Sequence, residues 1–340
     1  VHAPLGPAEG AVGLAASRLG FTSDGAEPFL PDYRWWNVGV FAFEQVRAGP
    51  ASLALGARVD RRELATDADP ALALAAQARA WTAASGNVGA SVRLAPALAA
   101  VANLGRGFRA PQAPELFASG VHEGTLAYEV GNPDLGVETS WNVDAGLRWQ
   151  SATLAAEATV FRNQVGGFIY YRPTGEREPR TGLEIFRFTQ GDALLTGFEA
   201  SVTWRPARGL ELGLGGDAVR GTNRSIGEPL PFMPPLRGLL SARLTGLRAD
   251  PLGGATASLG VRAEAATRQS RPNPDEVAPP GWARVDLEAG LAWPTARGDF
   301  TLDLQVRNVG DALYARHLNR FKGFARETGR HVMLRAGMPF

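Results

Sequence analysis

The feature that most constrains this chain is a period of two. From Val332 to Phe340 every even position is apolar, while the odd positions include Arg335 and Gly337. The same pattern recurs upstream. Phe300, Leu302, Leu304 and Val306 alternate with Thr301, Asp303, Gln305 and Arg307. Val285, Leu287, Ala289, Leu291 and Trp293 alternate with Arg284, Asp286, Glu288 and Gly290. Trp141, Val143, Ala145, Leu147 and Trp149 alternate with Asn142, Asp144, Gly146 and Arg148. A period of two means strands with two unlike faces. Strands of soluble sheets usually run ~5–6 residues, whereas here the alternation often reaches the ~9–11 needed to cross a bilayer at a tilt. One apolar face and one polar face over that length fit a barrel wall with lipid outside and water inside.

The spacing predicts about fourteen strands, near 9–19, 34–46, 51–63, 80–94, 97–109, 137–149, 152–170, 185–204, 208–220, 235–247, 255–268, 283–293, 299–309 and 330–340. The connections alternate between short and long. Short ones hold Arg47-Ala48-Gly49-Pro50, Ala95-Pro96, Gln150-Ser151 and Pro206-Ala207; long ones cover 20–33, 64–79, 110–136, 171–184, 221–234, 269–282 and 310–329. Outer-membrane barrels have short periplasmic turns and long extracellular loops, so this asymmetry orients the chain and puts Phe340 on the periplasmic side. The expected fold class is an all-β transmembrane antiparallel β-barrel, built as one meander.

Composition narrows the function. The mean hydropathy is −0.11, and no apolar run is long enough for a transmembrane helix. Without cysteine, neither a disulfide framework nor a thiolate metal site is available. A net charge of +1 gives no case for a nucleic-acid partner. No Gly-x-Ser-x-Gly elbow and no phosphate loop with a lysine is present, so the expectation is a protein that is not an enzyme. Inward arginines such as Arg148, Arg205, Arg262, Arg284, Arg307 and Arg335 are expected to pair with carboxylates across strands, and Trp141, Trp149, Trp204 and Trp293 to form interfacial girdles.

Several blocks then carry a family resemblance. Phe108-Arg109-Ala110-Pro111 followed by Glu115-Leu116-Phe117, and Gly131-Asn132-Pro133-Asp134-Leu135 leading to Glu138-Thr139-Ser140, resemble signatures of TonB-dependent outer-membrane receptors. Gln190-Gly191-Asp192-Ala193, Leu195 to Glu199, Asn308-Val309-Gly310-Asp311, Tyr314, Gly329-Arg330 and the terminal Phe340 resemble later blocks of that family, in its order. The resemblance implies a 22-stranded barrel filled by an N-terminal plug. Residues 1–340 would then be the C-terminal barrel portion, with the plug and the TonB-contacting box absent; Val1 to Leu5 also lack a signal-peptide pattern. It further implies a bacterial outer-membrane location, lipid around the wall, TonB engaged through the missing N-terminal region, and a C-terminal strand read by the barrel-assembly machinery.

Within the family the chain is similar to receptors of the zinc-uptake type. His122 in the loop after the Phe-Arg-Ala-Pro block, His317 with Lys322 in the last loop, and the loop from Gly25 to Pro31 carry that similarity. It implies active import of a metal ion or metal complex, zinc first, with a ferric siderophore or haem as the alternative and no resident cofactor. A structural or adhesive barrel is the alternative of another class. Candidate metal ligands are His122, Glu123, His317 and Glu327, since a histidine pair needs carboxylates to complete a zinc site, and Glu129 and Asp134 are further oxygen donors nearby in sequence. The plainer reading is that these histidines make ordinary loop hydrogen bonds.

Overall fold

The computed structural model describes residues 8–24 and 28–338. In chain order its elements are β1 (Glu9–Phe21), β2 (Tyr33–Ala48), β3 (Ala51–Thr66), β4 (Gln77–Ala95), β5 (Leu98–Arg109), α1 (Ala113–Phe117), β6 (Ser119–His122), β7 (Ala127–Val130), β8 (Glu138–Gln150), β9 (Leu154–Arg177), β10 (Glu184–Ala207), β11 (Leu210–Asn223), β12 (Glu228–Pro229), β13 (Arg237–Ala249), β14 (Ala255–Ala266), β15 (Trp282–Thr295), β16 (Gly298–Arg307) and β17 (His331–Gly337). β1 to β5, β8 to β11 and β13 to β17 make one antiparallel meander of fourteen long strands, each paired with the next. β6, β7 and β12 are short additions to the same sheet. Among the described residues β1 pairs only with β2 and β17 only with β16, so the sheet is not closed. The terminal Phe340 and residues 25–27 of the Gly25 to Pro31 loop lie outside the described residues.

The registers sort the side chains as the alternation requires. One face carries aligned rows such as Leu14, Val40 and Val59, and Ala145, Val160 and Phe198. Leu14 is 79% exposed and Val160 60%, which suits lipid contact and would be costly in water. The opposite face carries the ion pairs. Arg58 binds Asp60 at 2.6 Å, Arg148 binds Glu157 at 3.0 Å, Arg205 binds Glu211 at 2.7 Å and Arg284 binds Glu264 at 2.9 Å. Cross-strand pairing is thus realised for Arg148, Arg205 and Arg284, whereas Arg58 bonds a carboxylate two positions along its own strand and Arg307 donates to Gln305. The side chains of Arg262 and Arg335 make no ion pair among the described residues.

The turns at one end are tight. Between β10 and β11, Gly209 adopts φ +80°, and a Cβ there would stand 2.4 Å from the Thr245 carbonyl oxygen. At the other end β9 and β10 run 24 residues each, well beyond what a bilayer crossing uses. They carry the sheet into the extracellular space. A single-layer wall has little interior, and the main apolar core sits at this extracellular mouth: Leu64, Ala113, Leu116, Phe117, Leu135 and Ile169, with Tyr33, Trp35, Trp81 and Phe188 packed on it.

Candidate extracellular ligand chamber

The long connection after β5 is folded, and Arg109 holds it. Its guanidinium donates from Nη1 to both oxygens of Glu115 at 2.9 and 2.8 Å, and from Nε and Nη2 to Glu138 at 2.7 and 2.9 Å. Glu115 also accepts the Gln112 N–H at 2.8 Å, closing a capping box on α1. Glu138 accepts the Ile169 N–H at 2.5 Å, which ties the clamp to β9. Pro111 and Leu116 are fully buried. Gly131 passes so close to α1 that a Cβ would lie 2.5 Å from the Leu116 carbonyl carbon. Asn132 then donates its N–H to the Glu115 carbonyl at 2.8 Å, and Arg79 reaches the Pro133 carbonyl at 3.3 Å. The signature residues therefore act as a brace inside the mouth. Beyond the brace, β7 lies parallel against the outer end of β10, pairing Tyr128 with Ile185 and Val130 with Arg187.

This brace stands beside a cavity of about 260 Å³ lined by Tyr170, Tyr171, Phe186, Phe232, Arg320 and Lys322, among others. The residues come from the β9–β10 extension, the loop before β13, the loop before β15 and the loop before β17. Arg320 lies over the Tyr171 ring at 4.7 Å and over Phe232 at 5.1 Å. It makes no hydrogen bond or ion pair among the described residues. Desolvation against these rings pushes its guanidinium below the usual arginine value, and the charge of Glu129 acts the other way. Lys322 Nζ stands 4.9 Å over Phe232.

Glu276 joins three of these loops. It accepts the Phe232 N–H at 3.0 Å and the Lys322 ammonium at 3.0 Å, and Lys322 in turn donates to the His317 carbonyl at 2.8 Å. Burial pushes the Glu276 carboxyl up. His317, Lys322 and the Phe232 N–H outweigh burial and leave it below the ordinary carboxylate value.

The expected metal ligands fall into separate settings. His122 Nδ1 is 2.9 Å from Glu129 Oε1, and its ring stacks on Phe29 at 5.4 Å. Glu123 is exposed beside it. His317 is 4% exposed, and neither ring nitrogen has a hydrogen-bond partner. Its Nε2 stands 3.6 Å from Glu276 Oε2, outside hydrogen-bond range. Glu327 ties its own loop, accepting from Asn319 at 3.1 Å and the Arg316 N–H at 3.4 Å. Among the described residues no group of three or more His, Cys, Asp or Glu converges as a metal-ligand set. The chamber residues Tyr171, Phe232, Glu276 and Arg320 were not singled out by the sequence; the only lysine, Lys322, was the one available pointer.

Three solved structures illustrate the likeness. "Copper transporter OprC" matches at 22% identity and TM-score 0.80, over 98% of this chain and 55% of its own. The ferric-catecholate import receptor Fiu from K12 E. coli matches at 16% and 0.72, over 100% and 53%. The FrpB iron transporter from Neisseria meningitidis matches at 14% and 0.71, over 97% and 52%. The chain spans about half the length of these structures, which share its fold. The family model described as "TonB dependent receptor-like, beta-barrel" matches residues 14–309. The chain belongs to this family of outer-membrane transport receptors.

Proposed function

We propose that this chain forms the wall and outer ligand chamber of a receptor that imports a metal as an anionic complex, energised by TonB in the complete protein. The observation that carries the reading is Arg320, laid across Tyr171 and Phe232 with no carboxylate bound to it. A guanidinium in that setting pairs bidentately with carboxylate or catecholate oxygens, and flanking rings stack on planar groups. Lys322 adds a second cation at the same ring. The structural neighbours, a copper transporter, an iron transporter and a ferric-catecholate import receptor, support a metal cargo. Ferric catecholates, through their planar rings and negative charge, and haem, through its planar macrocycle and propionates, both fit such a site.

A second reading is capture of bare zinc by His122 and His317 with Glu123 or Glu327. One observation favours it: the buried His317 ring has both nitrogens free of hydrogen bonds. The Lys322 ammonium bound to Glu276 opposes a bare dication there. Calorimetry on the full-length protein separates the two. Arg320→Ala should weaken binding of a ferric catecholate about tenfold, as expected for losing a charge-assisted contact. The His122→Ala, His317→Ala pair should leave it unchanged. Zinc binding that vanishes in the histidine pair, with chelate binding indifferent to Arg320, would reverse the preference.

A further inference from the structure

The lipid-facing wall carries arginines that the transport reading does not use. Register places Arg18 beside Trp36, Arg61 beside Val38 and Thr82, and Arg106 beside Trp141. Arg162, Thr196 and Arg220 form one row across β9, β10 and β11. All of these share the face of Val40, Val59, Val143 and Phe198, and all lie on its extracellular half. The corresponding rows at the periplasmic ends hold Leu98 with Trp149, and Leu154 with Trp204 and Leu212.

Arg61 is paired with Glu63, and Arg106 donates to the Ala84 carbonyl. Arg18, Arg162 and Arg220 are exposed, and their side chains make no hydrogen bond or ion pair among the described residues. An arginine facing hydrocarbon is destabilising near the midplane and tolerated near the interface, where an anion can meet it. Arg162 and Arg220 are two strands apart, about 10 Å at the backbone, close enough for both side chains to reach one anionic group.

Directly below them lies a groove of about 730 Å³ on the same face. Ala90, Ala102, Ala145 and Ala158 are among the residues lining it, with Val160 and Phe198 at its upper end. Val160 and Phe198 sit one outward position below Arg162 and Thr196. A shallow apolar trough of small side chains capped by unpaired guanidinium groups matches an amphiphile with an anionic head.

We infer that this face binds a phosphate-bearing lipid of the outer leaflet, its phosphate on Arg162 and Arg220 and an acyl chain in the alanine groove. Charge complementarity selects the head, and the groove selects a lipid over a free anion. Guanidinium groups suit phosphate because they present paired donors.

The test uses the full-length protein in phosphatidylcholine nanodiscs with and without lipid A, a bis-phosphorylated glycolipid. Retained lipid is read by native mass spectrometry, and assembly is checked by heat-modifiable gel migration. The Arg162→Gln, Arg220→Gln pair should lower apparent lipid A affinity roughly 30-fold, from about fivefold per arginine near an anionic surface. The matching double lysine variant should keep most of it. Ala145→Phe, which fills the groove and leaves the charges alone, should weaken lipid A as well. Inorganic phosphate should not displace the bound lipid. Unchanged lipid A retention in an assembled glutamine pair overturns the inference. So does displacement by inorganic phosphate together with an indifferent Ala145→Phe, which would mark a simple anion site.

Discussion

The wall and the mouth of this molecule are held by different physics. In the wall, β13 buries nothing deeply: Leu240 is 58% exposed, and its stability comes from ladder hydrogen bonds and from lipid on one side. In the mouth, Leu116 is 1% exposed, and three charged groups, Arg109, Glu115 and Glu138, lock a loop onto β9. The wall tolerates change on one face only. The mouth depends on a few long-range pairs.

The largest expected effect strikes the mouth. Arg109→Ala leaves Glu115 and Glu138 largely enclosed without their cation, and breaking such a pair costs about 4 kcal/mol. Hydrogen exchange should show the 110–137 connection opening while β13 to β16 stay protected. If the wall opened together with the loop, the two regions would be one cooperative unit and the contrast would fail.

The next effect strikes the wall and depends on the face. Leu240→Arg puts a cation into the lipid-facing row and should cost about 3 kcal/mol in urea unfolding from bilayers. Ser201→Arg, on the inner face opposite Glu157, should stay within about 0.5 kcal/mol. Equal costs would mean that the two faces do not meet different solvents.

A smaller effect is expected at Glu276, which joins loops rather than strands. Glu276→Gln keeps an acceptor but removes the charge facing Lys322, a loss of about 2 kcal/mol for a charged hydrogen bond. Acid should mimic it. The folded carboxyl titrates below its unfolded value, so the tether is at full strength above about pH 4.3 and is lost as pH falls through the lower folded value. Exchange in the loops at 224–236, 269–281 and 310–330 should rise over that acid range in the native protein. In the Gln variant it should already be high at neutral pH.

The same contrast explains what could be read from the sequence. Trp141, Val143, Ala145 and Leu147 declare a strand and its outward face within one short run, because pleat geometry is local. The expected strand near 137–149 and the observed Glu138–Gln150 differ by one residue at each end for that reason. β9 runs on to Arg177, past the expected end near 170, where it leaves the membrane and the pattern lapses, whereas β10 begins at Glu184, one residue before the expected 185. The mouth was legible only as motifs. Nothing local says that Arg109 would meet Glu138 across 29 positions, or that Lys322 would meet Glu276 across 46. His122 and His317 stood out by residue type, but which carboxylate each would approach is a property of loop packing. That packing brings His122 to Glu129, one of the carboxylates near it in sequence, and His317 to Glu276, which lies 41 positions away and was not a candidate.

The smallest expected effect lies on the inner wall, where charge pairs are common. Arg148 and Glu157 face each other in the β8–β9 ladder at 3.0 Å, with side chains 59% and 46% exposed. Solvent screens such a pair, and ordering two long side chains offsets part of its attraction, so exposed pairs are worth about 0.5 kcal/mol. Arg148→Gln should therefore shift the unfolding midpoint barely, and should shift it less as salt is raised. The paired Arg284 offers the control. It is 16% exposed, bonds Glu264 at 2.9 Å and approaches Asp286 at 3.6 Å. Arg284→Gln should cost several times more and respond weakly to salt. If the two substitutions behaved alike, the inner wall would be uniformly wet, and its ion pairs would reflect pleat register alone. If they differ as expected, the wall near β14 and β15 shares the packing logic of the mouth, and Glu264, which Arg316 of the last loop also approaches at 3.5 Å, is where the two regions meet.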